Sequence, residues 1–243
     1  DEDRQALVAA QELQSLTAPK DFIVTDSLIM ACHAGRNVPP EMVNVSGMRI
    51  SSGQLTAQDA IAWTREYEPT AIIFWNDRLE SMPEYVHWIQ AYFRLARWFG
   101  KERRIYLPLT SPAHSTMYTF EDKLTLLGYT WEPTPAEQGG NQQLTLYWRA
   151  EIQPQCNYTL QIAPLNGAAK RQEAIRMQLA KEDLSPSHWH KGDIVASSYL
   201  VPESYSENVA IALMREGHHL KVSDASGRRI PDNTVRLENG PVR

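Results

Sequence analysis

TFEDKLTLLGYTWEPTPAEQGGNQQLTLYWRA, Thr119 to Ala150, is the stretch whose reading decides the fold. Leu124 and Leu126 alternate with Lys123 and Thr125. Leu144, Leu146 and Trp148 alternate with Gln143, Thr145 and Tyr147. A period of two places alternate side chains on opposite faces of an extended chain, so both runs read as half-buried β-strands. Pro133, Pro135, Gly139 and Gly140 lie between them and forbid a regular helix. The stretch is therefore a strand, a turn-forming connection and a second strand.

Downstream, the same period continues. Tyr158, Leu160 and Ile162 alternate, Ser197, Tyr199 and Val201 oppose Ala196, Ser198 and Leu200, and Val209, Ile211 and Leu213 extend the series. Asp224–Gly227 is a turn signal before Arg228–Pro231, which reads as a final edge strand. Short strands at this spacing predict an antiparallel β-sandwich over 118–243. Residues 164–186 are compatible with a strand and loop or with a short helix.

Upstream the rhythm differs. Ala6, Ala9, Leu13 and Leu16 recur at helical spacing up to Pro19, and DFIVTD (Asp21–Asp26) is a short apolar run of the kind found in buried parallel strands. Ser27–Ala34 reads as a helix closed by Gly35, Met42–Ser46 as a strand and Ile50–Gly53 as a loop. Thr56 and Asp59 have the spacing of a helix start, and Ser81 and Glu84 repeat it. Thr70–Trp75 is the most strand-like run. Val86, Ile89, Phe93, Ala96 and Phe99 form the stripe of one long helix ending at Gly100, with the basic KERR run, Lys101–Arg104, at its C-terminus. Arg104–Leu107 is the last strand. This order predicts a small parallel-sheet, Rossmann-like α/β domain over 1–110, with 111–117 as the joint to the sandwich.

Composition narrows the function classes. A formal net charge of −5 argues against a nucleic-acid surface. No run reaches the ~18 apolar residues of a membrane span. The acidic, amphipathic start is the reverse of a signal peptide and fits a fragment as well as a complete chain. The two cysteines, Cys32 and Cys156, have no metal-ligand spacing around them, and no cofactor motif follows either strand end.

Ligands of open α/β sheets sit beyond the carboxyl ends of strands. That rule singles out Asp26, Asp77 and Arg78, against a structural alternative in which Asp26 caps the next helix and Asp77 pairs with Arg78. In the second half, Trp131, Trp148, Trp189 and Tyr199 are candidates for a sugar-stacking platform or for core. Trp148 sits on the apolar side of its own alternation; Trp148 and Trp189 are read as core, and Trp131 and the outward Tyr147 remain as ligand candidates. His188–His190 and His218–His219 are poor metal sites, because adjacent strand residues face opposite ways. Asn44 and Asn157 begin glycosylation-type tripeptides.

Several segments together resemble the soluble C-terminal part of bacterial GT-C membrane glycosyltransferases, of the dolichyl-phosphate-mannose-protein mannosyltransferase-like and aminoarabinose-transferase-like kinds. In the first half these are DFIVTD, GRNVPPEMVNVS, SGQLTAQDAI, EPTAIIFWNDRLESMPEYVHWI and RRIYL. In the second they are KLTLLGYTWEPTPAEQGGNQQLTLYWRA, NYTLQI, the W-x-x-G-D of Trp189–Asp193, SYLVP and SGRRIP. Ala212–Arg215 and His218–His219 depart from the family's pattern, as do residues 164–186. The resemblance implies a non-catalytic, extracytoplasmic accessory region, without a cofactor, partnered by the membrane domain of the same polypeptide and by a glycan or protein acceptor. The family's catalytic acids lie in a loop of its membrane domain, and nothing here matches that segment. A free-standing carbohydrate- or protein-binding module is the alternative; a small hydrolase or transferase using Asp26 and Asp77 ranks third.

Overall fold

The computed structural model describes residues 2–101, 103–121, 123–134, 141–165, 174–205 and 208–238. The chain divides into two compact units, Asp1–Leu109 and Thr110–Arg243. Strands dominate, and most of their pairings are antiparallel. None of the described helices is long and apolar enough to cross a membrane.

In the first unit, helix α1 (Glu2–Leu16) and helix α2 (Leu28–Ala34) pack beside strand β1 (Ile23–Thr25). Ala9, Ala10 and Leu13 of α1 meet Met30, Ala31 and Ala34 of α2 in one apolar cluster with Ile23, Ala71, Ile73 and Ile105. Gly35 ends α2 in the left-handed conformation (φ 63°) and its N–H is bonded back to Cys32. Helix α3 spans Gly47–Ser51 and helix α4 spans Ala57–Tyr67. Thr56 and Asp59 form the reciprocal capping box expected of α4, with Thr56 N–H donating to the Asp59 carboxylate at 3.0 Å.

The sheet here is not the expected parallel one. Strand β2 (Ala71–Phe74) runs parallel to β1, but strands β3 (Phe93–Trp98) and β4 (Arg104–Pro108) make antiparallel pairs in the order β1-β2-β4-β3. The long helix expected through Phe99 stops at Tyr92: helix α5 spans Pro83–Tyr92, and Phe93 and Ala96 of the stripe lie on β3, which ends at Trp98. Phe93 and Leu95 fit a strand as well as a helix, and pairing with the β4 residues Pro108 and Tyr106 decides between them. Gly100 (φ 80°) and Lys101 (φ 47°) turn the chain left-handed, so KERR lies at a hairpin and not at a helix end. A hairpin can only join antiparallel strands.

Smaller corrections have local causes. Met42–Ser46 is not a strand: Pro40 starts a one-turn 3-10 helix to Met42. Residues 50–51 close α3, whose cap is Ser46, the Oγ accepting from Arg49 N–H at 3.3 Å. Ser81 does not cap α5, because its hydroxyl donates to the Arg78 carbonyl at 2.6 Å; Met82 precedes Pro83 instead.

The second unit is sandwich-like and antiparallel. Strands β5 (His114–Phe120), β6 (Leu124–Pro133) and β7 (Asn141–Ala150) are followed by β8 (Thr159–Pro164), β9 (Ile175–Gln178), β10 (Ile194–Pro202) and β11 (Asn208–Arg215). The short β12 (His218–His219), β13 (Val222–Ser223) and β14 (Arg229–Ile230) come next, and β15 (Val235–Glu238) ends the series, so Arg228–Pro231 is not the last strand. One sheet is ordered β10-β7-β6-β5-β13-β14; the other is β12-β11-β8-β9, with β15 also on β11. His114–Met117, read as part of the joint, are the first residues of β5. Of 164–186, β9 is the strand form, and two 3-10 turns follow, Glu182–Leu184 and Pro186–His188; residues 166–173 lie outside the described residues. Residues 135–140 between β6 and β7 also lie outside them, Pro135, Gly139 and Gly140 among these.

The Tyr129 side chain ties the two sheets together. The Tyr129 hydroxyl donates to the Glu238 carbonyl at 3.1 Å and accepts from the Glu238 N–H at 3.0 Å. Trp148 is fully buried, edge-on to Phe120 with centroids 5.5 Å apart. Leu127 is a bulge in β6: Leu126 pairs with Trp148, and the next register pair is Gly128 with Tyr147. The extra residue returns Tyr129 and Trp131 to the face of Leu146 and Leu144.

Candidate functional site

Asp26 follows β1 directly, where the strand-end rule placed it. Its side chain is almost wholly buried, at 3% exposure. The carboxylate accepts the backbone N–H of Trp75 at 2.8 Å, of Asn76 at 3.1 Å, of Arg78 at 3.1 Å and of Leu79 at 3.4 Å. Burial raises its pKa above the usual carboxylate value, against the lowering by those N–H donors. Asp26 does not cap α2; Ser27 holds that position and makes no side-chain cap bond. It caps the loop that leaves β2. Its acceptor sites are occupied by backbone, which leaves little room for proton transfer to a ligand.

Asp77 and Arg78 sit on that loop and are exposed. Asp77 has a left-handed backbone (φ 51°). The Arg78 guanidinium donates to the carbonyls of Asp26 (3.3 Å) and Val45 (3.1 Å), and no ion pair joins it to Asp77. These three residues are brought together, with Asp26 as the organiser of the other two.

The aromatic candidates separate. Trp148 and Trp189 are fully buried, Trp148 on the apolar side of its strand as the alternation expects. Tyr199 is buried too, its hydroxyl donating to the Leu179 carbonyl. Tyr147 lies on the face opposite Trp148 yet is only 7% exposed, with its hydroxyl 3.3 Å from that of Thr110. It is outward in register but not open to solvent. Trp131 is half-buried on the face of Leu144, its Nε1 shielded and without a hydrogen-bond partner. No exposed aromatic platform joins these residues.

A polar recess of the second unit involves none of them. A cleft of about 460 Å³ is lined by Asn157, Gln178, Ala180, Glu182, Ser185, Ser187 and His188. Asn157 precedes β8, Gln178 ends β9, Ala180 follows it, Glu182 lies on the first 3-10 turn, Ser187 and His188 lie on the second, and Ser185 joins the two turns. The Ser185 hydroxyl donates to the Asn157 side-chain oxygen and lies 3.1 Å from the Ser187 hydroxyl. Behind the turns, the Trp189 indole N–H donates to the Leu184 carbonyl at 2.7 Å. The Asp193 carboxylate, also buried, accepts the His190 N–H at 2.8 Å. The W-x-x-G-D run is thus the clamp that fixes the cleft wall, with Gly192 supplying a left-handed residue (φ 95°).

This lining offers two amides, two hydroxyls, an imidazole and one carboxylate, with no lysine or arginine. It matches a hydroxyl-rich neutral ligand better than a phosphate. Sequence reading did not assemble it because its residues come from separate segments without a shared spacing; Asn157 and His188 were singled out for other reasons, and the Trp189–Asp193 motif pointed nearby. Among the described residues no three His, Cys, Asp or Glu side chains gather to hold a metal. Neither a protein-family model nor a curated protein matches this chain.

Proposed function

We propose that this chain is the extracytoplasmic accessory region of a polyprenyl-phosphate-sugar-dependent membrane glycosyltransferase of the GT-C type. Its task is to hold a glycan acceptor, while the membrane domain of the same polypeptide performs the transfer. The first unit is read as an α/β domain of that region and the second as its appended β-sandwich. The observation that carries the reading is the polar cleft lined by Asn157, Gln178, Ser185 and Ser187, without lysine or arginine and of a size suited to a small ligand. The sequence resemblance supplies the glycosyltransferase context. The commitment of Asp26 to backbone N–H groups favours a holding role over a reacting one.

The test is saturation-transfer NMR of the chain against cell-wall and lipid-linked oligosaccharides, with Gln178→Ala and Ser187→Ala as controls. Binding by at least one glycan class, weakened by both substitutions, is expected. Absence of any glycan signal, or a signal that both variants retain, overturns the reading.

A further inference from the structure

Edge strands expose unpaired backbone groups, and folded proteins blunt them with short length, charge, proline or bulges. Among the described residues the sheet edges follow that rule at every place but one. In the first unit β1 has three residues, and β3 carries Arg94, Arg97 and a register shift. In the second, β12 and β14 have two residues each, and β9 has four with an exposed Arg176 in the middle. The exception is β10, Ile194–Pro202, sequence IVASSYLVP. It has nine residues, contains no charge, meets proline only at its last position and pairs with β7 throughout without a bulge. It is the terminal strand of its sheet, and no strand of the described residues pairs with its other side.

We propose that β10 is a self-association edge, pairing antiparallel with β10 of a second copy so that two sheets become one. The register that keeps all nine residues paired has its two-fold axis at Ser198. Residue numbers then sum to a constant: Ser198 faces Ser198, Ser197 faces Tyr199, Ala196 faces Leu200, and Ile194 faces Pro202. Every pair keeps to one face of the sheet, because the side-chain period is two. On the outer face this sets Leu200, which is 53% exposed, beside the small Ala196 of the other copy. No like charges meet anywhere along the pair, so the strand is compatible with itself. Ser198 is exposed at the axis, its hydroxyl 2.9 Å from that of Thr145 on β7, and a longer side chain there projects toward its own copy. This inference is independent of the glycan reading, which concerns the cleft.

The experiment is analytical ultracentrifugation of the chain from micromolar to submillimolar concentration, with circular dichroism to check folding. The weight-average mass should rise toward twice the chain mass. Ser198→Lys and Ser198→Glu each place like charges opposite one another and should stay monomeric, and so should Leu200→Lys, which buries a charge in the same contact. Mixing the Ser198→Lys and Ser198→Glu proteins should restore the dimer, since only the two-fold register sets residue 198 against itself. A wild-type chain that stays monomeric throughout, folded variants that dimerise like wild type, or a charge-swapped mixture that does not recover overturns the proposal.

Discussion

The Asp26 carboxylate accepts the Trp75 N–H at 2.8 Å, and this bond ties the end of β1 to the loop after β2. The same carboxylate takes the N–H groups of Asn76, Arg78 and Leu79, so one side chain fixes the path of the whole loop. Replacing Asp26 by alanine strands buried donors, each costing about 1–3 kcal/mol when left unsatisfied. Asp26→Ala should therefore destabilise the first unit by about 3 kcal/mol or more. Asp26→Asn keeps one acceptor oxygen and should lose less. Urea denaturation followed by tryptophan fluorescence, with Trp75 on the affected loop, measures both; an Asp26→Ala protein as stable as wild type contradicts the role assigned to the carboxylate.

The same group sets a pH signature. Burial raises the Asp26 pKa in the folded chain above its unfolded value near 3.8. An acid raised in this way binds its proton more tightly when folded. Its favourable contribution is full below the unfolded pKa and is lost as pH rises through the folded one. The stability of wild type relative to Asp26→Asn should consequently decline as pH rises above about 4. Paired denaturation curves across that range test it, and a difference that grows with pH reverses the sign and the argument.

Gly128 faces a different constraint. A Cβ built there would lie 2.5 Å from the His114 carbonyl oxygen and 2.5 Å from Pro112 Cγ, because the chain entering β5 crosses closely over β6 at this point. The backbone oxygen cannot swing aside as a side chain would. Gly128→Ala should cost about 1–3 kcal/mol, the range of overpacked sites. Gly47→Ala is the control. That glycine opens α3, its Cβ would meet nothing within 4 Å, and the substitution should be neutral or stabilise by about 0.5 kcal/mol. Thermal melts of the two variants should separate clearly.

What the sequence makes legible follows from how local each determinant is. The Thr56–Asp59 box and the Gly35 stop act within one helical turn, and both appear where their spacing puts them. The alternation of Leu144, Leu146 and Trp148 likewise carries its own face assignment. The residues after Tyr92 do not: their apolar pattern fits two periods, and only pairing with Ile105 to Pro108, beyond a left-handed turn at Gly100, makes them a strand. Asp26 stands where the strand-end rule puts it, but its bonding partners are some fifty residues away in sequence, so its structural task could not be read there. The cleft is the extreme case, since Asn157, Gln178 and Ser185 meet only through the pairing of β8 with β9 and the turns that follow.

Trp189 connects the stability of those turns to the cleft they shape. Its indole is fully buried, and the Nε1 bond to the Leu184 carbonyl is 2.7 Å long. Leu184 immediately precedes Ser185, whose hydroxyl bridges toward Asn157 and Ser187. Trp189→Phe keeps an aromatic ring in the core but removes the donor and leaves a buried carbonyl with one partner fewer. The loss should be about 1–3 kcal/mol in global stability, combining the missing bond with the unfilled volume. Hydrogen exchange should report more than that global shift: amides of Leu184 and Ser185, bonded to the Lys181 and Glu182 carbonyls, should lose protection beyond what the overall destabilisation predicts. Strands β6 and β7, in the opposite sheet, should change only with the global term. Uniform loss of protection across the second unit would mean that Trp189 acts as bulk core and that the cleft wall does not depend on its hydrogen bond.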